Sequence, residues 1–426
     1  MSDRLNSAPN VAGAGSLRKQ SLLIWTQYFW PENFQINQFA AALVRHGIST
    51  SVLTGMPNYP GGRLYPGYHA FQHTKEYHNG INIYRIPIIP RGFNSTLRLV
   101  FNYISFVVCG FLFAPWVLRN NKITSVLVYA PSPILQALPA IFFCWTRRVR
   151  LVLWVQDLWP EVLTAMGFVK NPIILKLVDR LVRLIYNHSD IILIQSEGFR
   201  SSVTHRVNDA SKIRYFPNAS ELNINPSSNE SVEQYNDLLN DLESNFSVVF
   251  AGNIGIAQSC ETIVNAAEQI KEISSIRFYI IGDGTEALNL KHMIQSKGLS
   301  NVVMVEAIPA QSMSAIYNAS SVLLLTLRNQ KAFSATIPSK LQSYMIAGKP
   351  IVASVNAEGE AARCLLQSGA GIVCSPDNPK ALAKAIVDIH HMCEKDRLEL
   401  GLNGKKYANS HFNLDDRIHE LMGMLV

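Results

Sequence analysis

The chain has no Cys-x-x-Cys pair, no GxxxxGK(S/T) loop and no GxGxxG fingerprint, and only 16% of its 426 residues are charged. Each absence removes a class. The six cysteines (Cys109, Cys144, Cys260, Cys364, Cys374, Cys393) are scattered, with no histidine tract at ligand spacing beside them. They give neither a disulfide framework nor a zinc site and read as reduced thiols of a cytosolic protein. Without a Walker loop or a dinucleotide fingerprint, a P-loop kinase and an ordinary dinucleotide oxidoreductase are disfavoured. Nucleic acid is not an expected partner, because there is no Cys/His finger, RNP-like aromatic pair or basic helix run. Residues 1–20 are small and polar and lack an apolar core, so they read as a flexible tail rather than a signal peptide.

What is present is globular: 48% hydrophobic residues, 24 Gly and 20 Pro in a length that suits two domains. The charge is uneven. Residues 1–220 hold 22 Lys and Arg against 9 Asp and Glu, whereas 221–426 hold 16 against 22. A basic half fits phosphorylated substrates or an anionic membrane. Leu99 to Leu118 carries no charge, is bracketed by Arg98 and Arg119, and is long enough to cross a bilayer. Its position inside a domain argues against a span. Two readings stay open here: a helix lying in the membrane interface, with Trp116 and the arginines at headgroup level, and a buried core helix.

The hydrophobic pattern alternates between short apolar runs and helix-period segments. Leu22–Trp25, Thr50–Leu53, Ser125–Tyr129, Leu151–Val155 and Ile191–Ile194 read as strands, with helices near 36–44, 135–144 and 172–187. Residues 221–245 turn polar and acidic and read as a linker. A second series follows, with strands at 248–251, 277–281, 302–305, 322–326 and 351–354. The expected architecture is α/β, two doubly wound domains, 21–220 and 246–405, facing across a cleft. A last helix over 406–426 returns toward the first domain. Ligands in such sheets bind beyond the carboxyl ends of the strands.

Several loops lie at those ends. Gly252-Asn253-Ile254-Gly255 and Gly282-Asp283-Gly284 each follow a strand, and their glycines admit a phosphate close to backbone N–H groups or serve only as tight turns. Ile337-Pro338-Ser339-Lys340 opens a helix, and a lysine in a first turn opposes the helix dipole unless an anion lies nearby. Asp157 and Glu161, in Trp154 to Glu161, are candidates for a general base or for binding acceptor hydroxyls, with a plain helix-start role as the alternative for Glu161. The aromatic loops around Glu32-Asn33 and Gly61-Gly62 suit sugar recognition or packing.

Taken together, QYFWPENFQIN, LTGMPNYPGG, WVQDLWPE, FPNAS, FAGNIGIAQS, IIGDG and IPSKLQSYMIAGKP resemble the glycosyltransferases of family 4. The likeness is to the WbuB-like branch of O-antigen and capsule assembly and runs from Leu22 to Phe412. The resemblance implies a GT-B fold, a nucleotide-diphosphate sugar held mainly by the second domain, no metal or other cofactor, and transfer with retention. The sugar is expected to be fucose or an N-acetylated sugar. The expected acceptor is a saccharide on a polyprenyl diphosphate, and the expected location is the cytoplasmic face of the membrane.

Where such enzymes often carry an Arg and a Lys for the diphosphate, this chain has Asn253 and Gln258, and where they carry paired glutamates it has Ala335 and Ser343. Lys340 is therefore the expected diphosphate cation. The donor set is completed by Gly252, Gly255, Gly282, Gly284, Ser339, Ser343, Glu358 and Glu360. The catalytic set is Asp157, Lys340 and Glu360, and the acceptor set is Glu32, Asn33, Gly61, Gly62, Asp157 and Glu161. Two rival readings are a sugar-nucleotide 2-epimerase and a non-catalytic membrane assembly partner.

Overall fold

The structure, a computed structural model, describes residues 20–93, 95–165, 167, 169–219 and 233–425. The first sheet contains β1 (Ser21–Trp25), β2 (Ser49–Gly55), β3 (Thr74–His78), β4 (Ile81–Ile86), β5 (Ser125–Ala130), β6 (Arg150–Val155), β7 (Ile191–Ile194) and β8 (Ile213–Tyr215). Their spatial order is β3-β4-β2-β1-β5-β6-β7-β8. All neighbours are parallel except β3, which runs antiparallel to β4 at the edge. The central strands β5 and β6 are buried apart from Arg150 at the start of β6, as parallel strands covered on both faces must be.

The second sheet contains β9 (Phe246–Ala251), β10 (Ile276–Ile281), β11 (Val302–Val305), β12 (Val322–Thr326), β13 (Ile351–Ser354) and β14 (Gly371–Cys374). The order β11-β10-β9-β12-β13-β14 reverses between β9 and β12, the topological switch point of a dinucleotide-fold sheet. The first sheet reverses between β1 and β5. Both reversals place the functional loops at carboxyl ends. This is the two-sheet α/β arrangement implied by the resemblance.

Helices form where local chemistry favours them. Gln35–Arg45 buries Ile36, Phe39, Ala40 and Leu43 along one face and stops before Gly47, whose φ is +78°. Pro172–Asn187 starts with a proline in its first turn, and the Asn171 side chain accepts from the Ile173 N–H.

Several segments differ from the sequence reading, among them the short strands β8 and β14, which it did not mark. The hairpin β3–β4 went unread because Thr74–His78 is half exposed and charged. Residues 221–232 of the expected linker lie outside the described residues, but Asn236–Ser244 is a helix with Leu242 in the second core. The closing segment is divided. Glu394–His411 packs on the second domain, and Leu414–Leu425 lays Leu414, Ile418 and Leu421 into the core of the first, beside Ile36 and Phe39. The last helix therefore straps the two domains. Ile418→Ala is expected to cost about 2–4 kcal/mol of first-domain stability in a urea melt, although Ile418 is near the end of the sequence.

Candidate active site in the interdomain cleft

The second domain's half of the site is built on close backbone approaches. A Cβ at Gly282 (φ +146°) would lie 2.0 Å from the Gly252 carbonyl oxygen, and one at Gly284 (φ +159°) would lie 2.3 Å from that of Ile254. Only glycine fits at either position. The Gly252 N–H donates to Ile281 at 2.8 Å and the Ile254 N–H to Asp283 at 2.8 Å, so the two loops are laced together. A Cβ at Gly252 (φ +127°) would meet Lys340 Cε at 2.4 Å, because the lysine side chain lies directly over this glycine.

Lys340 is in the first turn of helix Ser339–Ala347. Its Nζ is buried and, among the described residues, has no hydrogen-bond partner. It lies 3.9 Å from the Phe250 ring centroid, a π face that offsets a little of the charge. Burial lowers its pKa to about 8, with Cys260 pulling weakly the other way. Burial pushes the Cys260 thiol itself up to about 12, so it is neutral and supplies no counter-charge. A desolvated cation at the start of a helix, against a glycine loop, is a receptor for an anion.

The neighbouring donor candidates are placed less decisively. Gln258 Oε1 accepts from the Gly255 N–H at 3.2 Å and the Asn253 amide at 3.3 Å, which shapes the loop from within. Ser343 is half-buried, one turn along the helix from Lys340; Ser339 and Glu358 are exposed. Arg328, on the loop after β12, pairs with Glu261. Sequence reading passed over it.

In the first domain, Asp157 follows β6. Its Oδ2 accepts from both the Ser132 N–H at 2.9 Å and the Ser132 hydroxyl at 2.8 Å. The Trp159 indole donates to the same hydroxyl at 3.0 Å. Burial raises the Asp157 pKa and the Ser132 bonds pull it back, leaving a carboxylate held in one orientation by the β5 loop. Tyr103, which feels the charges of both Arg91 and Asp157, comes from helix Thr96–Val117 and was not legible as a site residue.

Three expected site residues are occupied otherwise. Glu32 is almost fully buried, and its carboxylate accepts the N–H groups of Asn58 (2.7 Å), Tyr59 (2.8 Å) and Phe29 (3.2 Å). Burial raises its pKa to about 7 against these bonds. It is a brace between two loops, not a hand extended to the acceptor. Glu161 pairs with Arg206 at 2.8 Å and accepts from the Ser202 hydroxyl at 2.7 Å, joining helix Glu161–Ala165 to Arg200–Thr204. Glu360 pairs with Arg363 and is also bonded by Ser196 and the Gly198 N–H of the other domain, with burial raising its pKa. It serves as a domain contact.

Asn33 and Gly61 are exposed. Gly62 (φ +72°) accepts the Gly92 N–H at 3.0 Å, and a Cβ there would strike the Gly92 oxygen at 2.1 Å.

The two halves face each other. Gln342 Nε2 donates to the Asn218 carbonyl at 2.8 Å, and the Asn218 amide donates to Gln156 at 2.8 Å. A Cβ at Gly198 would lie 2.7 Å from the Ala335 oxygen. Loops beyond β7 and β8 thus meet the Lys340 helix and its approach, with the loop beyond β6 held behind Asn218.

A glycine loop beneath a buried lysine, across a cleft from an oriented carboxylate, suits transfer of a phosphate-activated group, and comparison with known proteins gives the class. Residues 33–219 match the family described as glycosyl transferase 4-like domain and residues 245–391 that of glycosyl transferases group 1. Together these cover most of the chain, which belongs to the family 4 glycosyltransferases.

WbjE of Pseudomonas aeruginosa, a glycosyltransferase by name, is 26% identical over 306 residues, 71% of this chain and 75% of that one. WcaI of Escherichia coli (strain K12), by name a colanic acid biosynthesis glycosyl transferase, is 24% identical over 387 residues, 86% of this chain and 91% of that one. Sucrose-phosphate synthase of Thermosynechococcus elongatus superposes with a TM-score of 0.71 at 16% identity, over 95% of this chain and 98% of that one. Anabaena HepE in complex with UDP gives 0.67 at 13%, over 95% and 99%. The fold is GT-B.

The Lys340 charge makes a signed prediction. Because its folded pKa lies below the unfolded value of about 10.5, protonated Lys340 destabilises the unliganded protein at pH 7, and this cost fades as pH rises through 8 toward 10. Lys340→Met should therefore melt higher than wild type at pH 7, by about 1–3 kcal/mol, with the difference shrinking by pH 10. Donor turnover should fall at least about 100-fold in the same variant.

Proposed function

We propose that the chain moves a sugar from a nucleotide-diphosphate sugar to a saccharide carried on a polyprenyl diphosphate, with retention at the anomeric carbon, in assembly of a surface polysaccharide. The observation that carries the reading is the buried Lys340 ammonium over Gly252, without a hydrogen-bond partner among the described residues. The family membership, the name of WcaI and the UDP bound in HepE support the donor class and the pathway class.

In the proposed reaction the bond between the anomeric carbon and the β-phosphate oxygen breaks, and its electron pair leaves with the diphosphate. Lys340 and the backbone N–H groups of the Gly252–Gly255 loop take up that charge. The acceptor hydroxyl attacks from the same face, and its proton passes to Asp157, which Ser132 holds in place. A buried carboxylate whose pKa is raised is a better base than an exposed one. Tyr103, and Tyr59 with the Arg91 guanidinium 5.0 Å from its ring centroid, form a polar aromatic wall suited to a sugar.

The test is release of nucleoside diphosphate from a panel of UDP- and GDP-sugars, with and without a polyprenyl-diphosphate saccharide. Release should require the lipid saccharide and one donor. Asp157→Asn should lower it at least about 100-fold while nucleotide affinity stays within about twofold. Full activity in Asp157→Asn, or donor binding without turnover under every acceptor, would overturn the proposal.

A further inference from the structure

The helix Thr96–Val117 is neither a core helix nor a span. Only 22% of its apolar window is buried. The buried positions Asn102, Phe106, Gly110 and Ala114 form a single stripe at four-residue spacing. A Cβ at Gly110 would lie 2.8 Å from Pro139 and 3.2 Å from Trp25, so this stripe is pressed onto the domain. Crossing a bilayer is topologically excluded, since β1 before the helix and β5 after it pair directly, Leu22 with Ser125. The opposite face carries Leu97, Phe101, Ile104, Val108, Leu112 and Trp116, all between 47% and 68% exposed. Phe111 and Phe142, with centroids 5.7 Å apart, continue this surface onto helix Ala137–Arg147, where Trp145 is 76% exposed. Such a contiguous apolar face needs a cover.

Charge identifies the cover. From Tyr77 to Gln156 the sequence contains no Asp or Glu and, besides Arg85, which is buried and paired with Glu76, seven Lys and Arg. Arg98 and Arg119 stand at the two ends of the long helix, and Arg147 and Arg148 close the shorter one, all exposed. Arg119 lies 5.3 Å from the Trp116 ring centroid, an aromatic-cation pair of the kind that sits at headgroup depth.

We propose that this face docks on an anionic lipid bilayer, with helix Thr96–Val117 lying in the plane of the interface and its apolar side in the acyl boundary. The inner edge of the same helix reaches the site. Asn102 donates to the Ile89 carbonyl at 2.6 Å and accepts from Gln27 at 2.7 Å, and Tyr103 is its neighbour. Docking therefore brings the acceptor loops to the membrane surface as one packed unit. This deepens the lipid-acceptor reading, but its test does not require turnover.

The experiment is co-sedimentation of the full chain with phosphatidylglycerol-containing vesicles and with neutral phosphatidylcholine vesicles. It compares wild type, a Phe101→Asp/Leu112→Asp/Trp145→Asp variant and an Arg147→Glu/Arg148→Glu variant, each checked for an unchanged melt. Wild type should bind the anionic vesicles at least tenfold better than the neutral ones. Each variant should lose at least tenfold, the arginine variant recovering none of its loss at low salt. Transfer to a short water-soluble acceptor should be unchanged in both variants.

Wild type remaining in the supernatant with anionic vesicles would overturn the proposal. Self-association by light scattering, abolished by the same aspartates, would assign the face to a second copy of the chain instead. A chain that docks but fails to turn over any lipid saccharide would leave docking standing and remove the acceptor reading.

Discussion

Lys340 places a positive charge where none of the described residues bonds to its ammonium. Its ammonium is buried, sits in a helix's first turn where the dipole is also positive, and faces a π ring and a neutral thiol in place of a carboxylate. Such an arrangement is costly in the empty protein and is relieved only by an anion. The surrounding architecture follows from that constraint. Gly252 must lack a Cβ so that the lysine can lie across it, Gly282 so that its loop can press on Gly252, and Gly284 so that the next turn can press on Ile254. The topological switch between β9 and β12 brings these loops to the strand ends at the point where a nucleotide's phosphates enter such sheets.

The facing domain solves a different problem: long aromatic loops must hold one shape without regular structure. They do so with buried polar braces. Glu32 gathers three N–H groups from two loops. Arg85, fully buried, pairs with Glu76 at 2.7 Å and donates to the Trp30 carbonyl at 2.6 Å. Beneath the same loops the Gln27 N–H donates to the Gln136 side chain, the Gln27 amide to Asn102, and the Asn102 amide at longer range to Asn58. Buried polar networks of this kind fix the shape of a site more than they stabilise a fold. Across the cleft, the bond from Gln342 to Asn218 and the close approach at Gly198 are short-range contacts that resist misalignment of the two halves.

Local pattern was enough to read what local pattern determines. The alternation of buried strands and capped helices was visible, as were the glycine loops after β9 and β10, the place of Lys340 in the first turn of its helix, and Asp157 at the end of β6. What escaped depended on partners distant in sequence. Glu32 looked like a binding acid because the loop that engages it lies 26 residues on, and Glu161 because Arg206 lies 45 residues on. Glu360 read as a donor contact because its partners Ser196 and Gly198 belong to the other domain. Tyr103 was hidden inside an apolar run whose outward residues dominated its reading, although one edge of that helix faces the site. The residues 236–244 looked like linker because only Leu242 is fully buried, with Leu238 and Leu239 half-buried against the second core and the rest polar.

The central claim is that Lys340 waits for a diphosphate, and the most direct measurement is proton linkage on binding. Calorimetric titration of the unliganded protein with UDP and GDP near pH 8.5, repeated in buffers of different ionisation enthalpy, reads the protons taken up per nucleotide bound. With a free-state pKa of about 8, Lys340 is largely neutral at that pH and an adjacent diphosphate raises its affinity for a proton. The account predicts uptake of a substantial fraction of a proton, falling toward zero at pH 6.5 and absent in Lys340→Met. Nucleotide binding with no proton uptake at pH 8.5, or uptake that persists unchanged in Lys340→Met, would contradict it.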